Sequence, residues 1–197
     1  AARDRWDAFR SLATLAYDGR RSTFFRGELI RALRIIDQGH ISPEAMRGSW
    51  AGAMGHFQFM PSTFESYAID GDGDGKRDIW RNKRDAFSSA ANYLSKSGWK
   101  DDETWGRAVK LPNGFNAKLV GLDTKKNLNE WAKMGVVRPD GSPLPNRADI
   151  VASLVLAEGD KGPAFLVYNN YRVTLKWNRS TFFAVAVGTL AERIGDS

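Results

Sequence analysis

Gly48-Ser49-Trp50-Ala51-Gly52-Ala53-Met54-Gly55-His56-Phe57-Gln58-Phe59-Met60-Pro61-Ser62 puts three glycines, two alanines and a serine into its first eight residues. Glycine has no Cβ, so a stretch this poor in side chains is one that passes close to another backbone or to a ligand. Helical patterns flank it. Upstream, residues 5–17 place Trp6, Phe9, Ala13 and Ala16 on one face, and Phe25 to Asp37 does the same with Leu29, Leu33 and Ile36 before Gly39 supplies a stop. Ser42-Pro43-Glu44 reads as a fresh helix start. Downstream, Ser62-Thr63-Phe64-Glu65 reads as a capping box. The run Asp85 to Ser97 is a helix with Phe87, Ala91 and Leu94 inward and Gly98 as its end.

Between these helices lies Asp70-Gly71-Asp72-Gly73-Asp74-Gly75-Lys76-Arg77-Asp78. Its carboxylates fall at loop positions one, three, five and nine, with glycine at six and the Lys76 carbonyl available at seven. Alternate residues of a tightly curled loop turn their oxygens toward one point, which is what a hard cation such as Ca2+ requires. Position twelve is Arg81 rather than glutamate, so a later carboxylate, Asp85, is expected to close the shell. The plainer alternative is a solvated Asp/Gly turn. A sensor would pair two such loops around a methionine-rich groove; this chain has one loop and four methionines, which favours a structural clamp.

Past residue 100 the texture changes. Apolar runs shorten to strand length, at Ile150 to Leu156 and Ala164 to Tyr168, between turn signals at Pro112-Asn113-Gly114, Pro139-Asp140-Gly141 and Gly159 to Pro163. One short helix, 127–134, interrupts them, and Ser180 to Ile194 is a final helix with Phe183, Val187, Leu190 and Ile194 in register. The expected class is α+β, predominantly α. Residues 1–100 form a helical core with the cation-type loop at 70–85, residues 101–173 a small mixed α/β insertion, and residues 174–197 a helix returning to the core.

Composition narrows the chemistry. With 197 residues, 42% hydrophobic and 26% charged, the chain is long enough to bury a core. It has no cysteine, which excludes disulfides, thiolate catalysis and Cys-ligated zinc. No apolar run approaches the roughly 18–20 residues of a membrane span, and residues 1–5 carry no secretion signal. A net charge of +6 fits an acidic partner. The basic residues are scattered without interleaved aromatics, which argues against nucleic acid. His40 and His56 have no Ser, Cys or metal-spaced partner in sequence, and structural roles are expected for both.

The glycine-rich stretch closely resembles the signature segment of the membrane-bound B-type lytic murein transglycosylases, a lysozyme-like family. The resemblance continues in order through Leu12-Ala13-Thr14-Leu15-Ala16-Tyr17, Phe25-Arg26-Gly27-Glu28-Leu29, the cation-type loop with its EF-hand-like spacing, Ala91-Asn92-Tyr93-Leu94, Leu111-Pro112-Asn113-Gly114-Phe115 and Trp177-Asn178-Arg179-Ser180-Thr181. It covers essentially the whole chain. It implies a lysozyme-like core and non-hydrolytic cleavage of the MurNAc-β-1,4-GlcNAc bond of peptidoglycan to 1,6-anhydroMurNAc products, with one glutamate as acid and then base. It also implies glycan strands and other cell-wall enzymes as partners, and a periplasmic location with any outer-membrane anchor outside this chain. The family's glutamate lies in a Glu-Ser/Thr-x-x-Gly motif upstream of the Leu-Ala-Thr-Leu segment, so it is expected before residue 1 and the chain alone is expected to be inactive. Glu65-Ser66 lacks the following glycine and is rejected; Glu28 reads as a solvated or helix-start residue. The resemblance carries over Ser49, Met54, Gln58, Trp177, Asn178 and Phe183 as substrate-binding and Asp70, Asp72, Asp74, Lys76, Asp78 and Asp85 as the Ca2+ site. Trp177 and Phe183 stand where relatives commonly have tyrosine. Each substrate residue has a plainer reading, satisfying nearby backbone or, for Met54, filling the core. A non-catalytic peptidoglycan-binding module and a calcium-regulated interaction protein remain as alternatives.

Overall fold

A computed structural model of the chain describes residues 6–18, 20–160 and 162–195, without the side chain of Asp160. Arg5, the expected start of the first helix, and Lys161, inside the 159–163 turn, lie outside these. The chain divides into two compact units, Ala1–Tyr93 and Leu94–Ser197. That boundary differs from the expected three segments: residues 174–197 belong with the insertion, because their helices pack on its sheet.

In the first unit, β1 (Trp6–Asp7) runs into α1 (Ala8–Asp18), followed by α2 (Ser22–Asp37), β2 (Arg47–Gly48), α3 (Pro61–Tyr67) and α4 (Lys83–Lys96), whose last turn extends into the second unit. β1 and β2 form a two-residue antiparallel ladder, with Trp6 opposite Gly48. Gly39 ends α2 with φ +76 and donates to the Ile36 carbonyl at 2.8 Å, and Gly98 at φ +97 follows α4, as glycine readily does at such ends. Two expected helix starts are corrected. Ser42-Pro43-Glu44 opens only a three-residue 3-10 turn, Pro43–Ala45. The capping box at Ser62 does not form, because Pro61 already occupies the first turn and Met60 is the cap residue.

The second unit is built on a four-stranded antiparallel sheet of β3 (Gly106–Val109), β4 (Gly121–Asn127), β5 (Val151–Asp160) and β6 (Ala164–Val167), in the order β3-β6-β5-β4. Three helices accompany it: α5 (Leu128–Lys133), α6 (Asn169–Trp177) and α7 (Thr181–Gly195). Successive strand residues point to opposite faces. Leu154 and Leu166 join Leu128, Trp131 and Tyr168 in one core cluster. Val155 and Val167 join Trp105, Tyr171, Ala184 and Val185 in the other. Burial on both faces explains why β5 reads as a continuous apolar run instead of an alternating one. The short helix expected at 127–134 is α5, started by a capping box between Asn127 and Glu130.

Four helices are rotated from their expected faces. α1 buries the expected Ala16 but with Ala8 and Leu12, leaving Trp6 exposed; α2 buries Glu28, Ala32 and Ile35, with Leu33 47% exposed. α4 buries Asp85, Ala86, Ser89 and Ala90 while Phe87 is 64% exposed and Ala91 also faces outward. α7 buries Ala184, Val185 and Gly188 and turns Val187, Leu190 and Ile194 outward. The same cause acts throughout. Periodicity marks where apolar residues recur, but close helix packing favours small residues at the contact. A Cβ on Gly188 would stand 2.3 Å from the Trp105 ring, so α7 seats on that indole through its glycine.

Candidate functional site

The Gly48 to Gln58 stretch is a tight hairpin. The Ser49 N–H donates to the Ala53 carbonyl at 2.8 Å and the Gly52 N–H returns to the Ser49 carbonyl at 2.9 Å, leaving Trp50 at the tip with its indole 66% exposed. Met54 and Phe59 exchange both backbone bonds, at 2.8 and 2.9 Å. The close approaches expected from the glycines are present. A Cβ on Gly48 would meet the Ala53 carbonyl oxygen at 2.2 Å, one on Gly52 would meet Leu12 Cδ2 at 2.3 Å, and one on Gly55 would meet the Ile79 carbonyl oxygen at 2.6 Å. α1 and the turn around Ile79 therefore clamp the hairpin from two sides.

Ser49 Oγ accepts the N–H of Ala53 at 3.1 Å and of Ala51 at 3.3 Å, which fixes the hydroxyl oxygen and leaves its hydrogen to donate outward. Gln58 is the one non-glycine residue among those described with positive φ, +56. Its Nε2 donates to the Gly55 carbonyl at 3.1 Å, leaving Oε1 as an acceptor. A side-chain amide held in a left-handed backbone conformation is a strain of the kind that clusters at binding sites, and sequence patterning carries no signal for it. Met54 is corrected: it is fully buried, so its side chain fills the core beneath the hairpin and lines no open surface. Glu28 is corrected as well. It is 2% exposed, and its Oε2 accepts the Ser62 N–H at 2.9 Å, satisfying an orphan donor at the start of α3. Glu65 pairs with Arg31 at 3.0 Å.

In the cation-type loop, Asp70, Asp72 and Asp85 bring carboxylate oxygens within 4.8 Å of one another. Asp85 is fully buried and ties the loop shut: Oδ1 accepts the Gly71 N–H at 2.8 Å and Oδ2 the Asp78 N–H at 2.7 Å. Asp70 accepts the N–H groups of Gly73 at 2.6 Å and Gly75 at 2.8 Å, and those bonds hold its carboxyl below the usual carboxylate value. The other two expected carboxylates, Asp74 and Asp78, are not members of this trio. Asp74 Oδ1 accepts the Lys76 N–H at 2.8 Å, and Asp78 Oδ1 caps the next turn through the N–H groups of Trp80 at 3.0 Å and Arg81 at 2.9 Å. Lys76 contributes only its carbonyl to the expected set.

In the second unit, Trp177, Asn178 and Phe183 lie at the junction of α6 and α7. Asn178 Oδ1 accepts the Ser180 N–H at 3.1 Å and Ser180 Oγ accepts the Phe183 N–H at 3.2 Å, so the junction is set by side-chain caps. Asn178 is exposed, with only its Oδ1 engaged in that cap, while Trp177 and Phe183 are half-buried. The structure thus gathers the six expected substrate residues as two local groups: Ser49, Met54 and Gln58 in the first unit, and Trp177, Asn178 and Phe183 in the second. Trp50 and the buried carboxylate of Glu28 escaped the sequence reading, the first because an exposed tryptophan is indistinguishable in sequence from a core one.

The pattern of the family described as Transglycosylase SLT domain matches residues 1–192. Membrane-bound lytic murein transglycosylase B of Escherichia coli (strain K12) is 36% identical over 192 residues, covering 93% of this chain and 50% of that protein, so the chain spans about half the length of the curated relative it matches. Among solved structures, SltB3 from Pseudomonas aeruginosa in complex with NAG-NAM-pentapeptide aligns with a TM-score of 0.94 and 49% identity, over 98% of this chain and 52% of that one. SltB3 has also been solved with NAG-anhNAM-pentapeptide, at TM-score 0.91 and 51% identity over 94% of this chain and 50% of that one. Escherichia coli Slt35 in complex with calcium aligns with a TM-score of 0.81 and 30% identity, over 98% of this chain and 60% of that one. No helix among the described residues is long and apolar enough to cross a membrane.

Proposed function

The chain belongs to the transglycosylase SLT domain family, and on that premise we propose that it holds peptidoglycan glycan strands for lytic transglycosylation in the periplasm. The MurNAc-β-1,4-GlcNAc bond breaks as a glutamic acid protonates the glycosidic oxygen. The 6-hydroxyl of the same muramic acid then attacks C1 and returns its proton to the glutamate, leaving the 1,6-anhydro sugar without consuming water. This departs from the two-carboxylate scheme of most glycosidases. The observation that carries the reading is the relative SltB3, solved with both NAG-NAM-pentapeptide and NAG-anhNAM-pentapeptide, which aligns across nearly all of this chain.

The local geometry supports it. Ser49 offers a hydroxyl hydrogen and Gln58 an amide oxygen from a clamped hairpin, suited to sugar hydroxyl and N-acetyl groups, and Trp50 adds an exposed flat ring beside them. Asn178, with Trp177 and Phe183, offers a second such set. The acid is contributed by protein outside these 197 residues. In support, two glutamates of the first unit are committed elsewhere: Glu28 to the Ser62 N–H and Glu65 to Arg31. Calcium is a structural clamp held by the Asp70–Asp78 loop and closed by Asp85, in an EF-hand-like manner. The gathered carboxylates and the calcium complex of Slt35 support that assignment.

Purified cell walls test the proposal. This chain should co-sediment with them without clearing their turbidity, and lysis by the chain alone would place the acid within it. A longer form of the protein that binds walls but does not lyse them would instead establish the non-catalytic module.

A further inference from the structure

A cavity of about 410 Å³ opens in the first unit, away from the hairpin tip, between the end of α2 with the turn after it and the second half of the acidic loop. Ile36, Ile41 and Pro43 are apolar members of its lining, and Lys76, Asp78 and Arg81 are charged ones. His40 also lines it but is chemically occupied. Its Nδ1 faces the Arg77 N–H at 3.2 Å and its Nε2 the Arg77 guanidinium, at 3.1 Å from Nε and 2.8 Å from Nη2. Burial first, and the Arg77 charge second, hold the imidazole below its ordinary 6.5, so it is neutral at pH 7. Arg77 itself is engaged by His40 and, at 3.3 Å, by Gln38.

The remaining charges do not cancel. Asp78 Oδ1 is taken by two backbone N–H groups. Among the described residues neither Lys76 nor Arg81 forms an ion pair. Asp70, Asp72 and Asp85 turn their oxygens toward one another. Two cations outside any ion pair thus share the lining with these apolar residues and one carboxylate, a net charge of +1, around a space of the size that takes small molecules. We infer that this cavity binds the carboxylate end of a short peptide with a small apolar side chain, the carboxylate against Lys76 and Arg81 and the side chain against Ile41 and Pro43.

The inference rests on the proposed function, in which the peptide is the stem carried by the murein strand. The cavity borders the turn that clamps the hairpin: the Ile79 carbonyl accepts the His56 N–H at 3.1 Å, and Trp80 Nε1 donates to the Arg47 carbonyl at 2.8 Å. A glycan held at the hairpin would present its stem peptide at high effective concentration, so a weak contact suffices to select peptide-bearing strands.

The test is calorimetric or NMR titration of the whole chain, with calcium, using acetyl-Lys-D-Ala-D-Ala. The free acid should bind in the millimolar range and the C-terminal amide about tenfold more weakly. Arg81→Met should weaken the acid at least about threefold, and Ala45→Phe, which fills the cavity without changing its charge, should abolish binding. Both should keep their affinity for chitotetraose. No binding of the peptide, equal binding of acid and amide, an unchanged affinity in Arg81→Met, or sulfate binding as tightly as the peptide would each overturn the inference. Peptide binding without any chitotetraose binding would refute the glycan reading and leave the cavity assignment standing.

Discussion

Replacing Asp85 with alanine removes the carboxylate that bonds both ends of the acidic loop, to the Gly71 N–H at 2.8 Å and the Asp78 N–H at 2.7 Å, from a fully buried position. Each backbone donor left without a partner costs about 1–3 kcal/mol. Gly71 is exposed and Asp78 half-buried, so water recovers part of that, and a loss of about 2–4 kcal/mol is expected. For a chain of this size the Tm should fall by about 5–15 °C in EGTA. Calcium adds a second signature. At about a hundredfold excess over its Kd it stabilises the parent by about 2.7 kcal/mol, and it should stabilise the variant far less because one of three converging carboxylates is gone. Thermal denaturation with and without calcium measures both effects. A variant melting within about 2 °C of the parent in EGTA, or gaining as much from calcium, would refute the clamp.

Gly52→Ala combines a left-handed φ of +81 with a Cβ 2.3 Å from Leu12 Cδ2 and should destabilise by about 2–5 kcal/mol, read from the urea midpoint. Gln58→Gly relieves the positive φ that Gln58→Ala retains, so the glycine variant should be the more stable of the two, while both bind chitotetraose more weakly than the parent; the opposite order of stability would show that the backbone there is unstrained. Acid should destabilise the protein through His40. Its folded pKa lies below the ordinary 6.5, so the unfolded chain binds the proton more readily, and the stability present above 6.5 declines as pH falls toward the folded value. His40→Gln should flatten stability between about pH 7 and pH 5, measured by urea denaturation across that range.

The features legible in advance are those with local causes. Gly39 and Gly98 end helices because only the residue at that point must tolerate positive φ. The hairpin's glycines announced close approach, and the Asp/Gly alternation of residues 70–78 announced converging oxygens. What escaped prediction depended on a distant partner. Glu28 looked like a surface residue until the start of α3 supplied its donor, thirty-four positions away. The facing of α1, α2, α4 and α7 was misjudged because small residues such as Ala8, Ala32, Ala86, Ser89, Ala90, Ala184 and Gly188 share the buried faces, and a periodicity of large apolar residues does not mark them.

The amino-acid order by itself determined the class of fold, the family resemblance, the loop's carboxylate spacing and the absence of thiol chemistry, because each is a matter of residue type and interval. Only the tertiary structure decided that Met54 is core, that the carboxylates of Asp70, Asp72 and Asp85 converge while those of Asp74 and Asp78 bond backbone N–H groups, and that Gln58 is held in the left-handed region. Those outcomes depend on which backbone groups, remote in sequence, arrive within hydrogen-bonding distance of a given side chain. No interval along the chain encodes that distance.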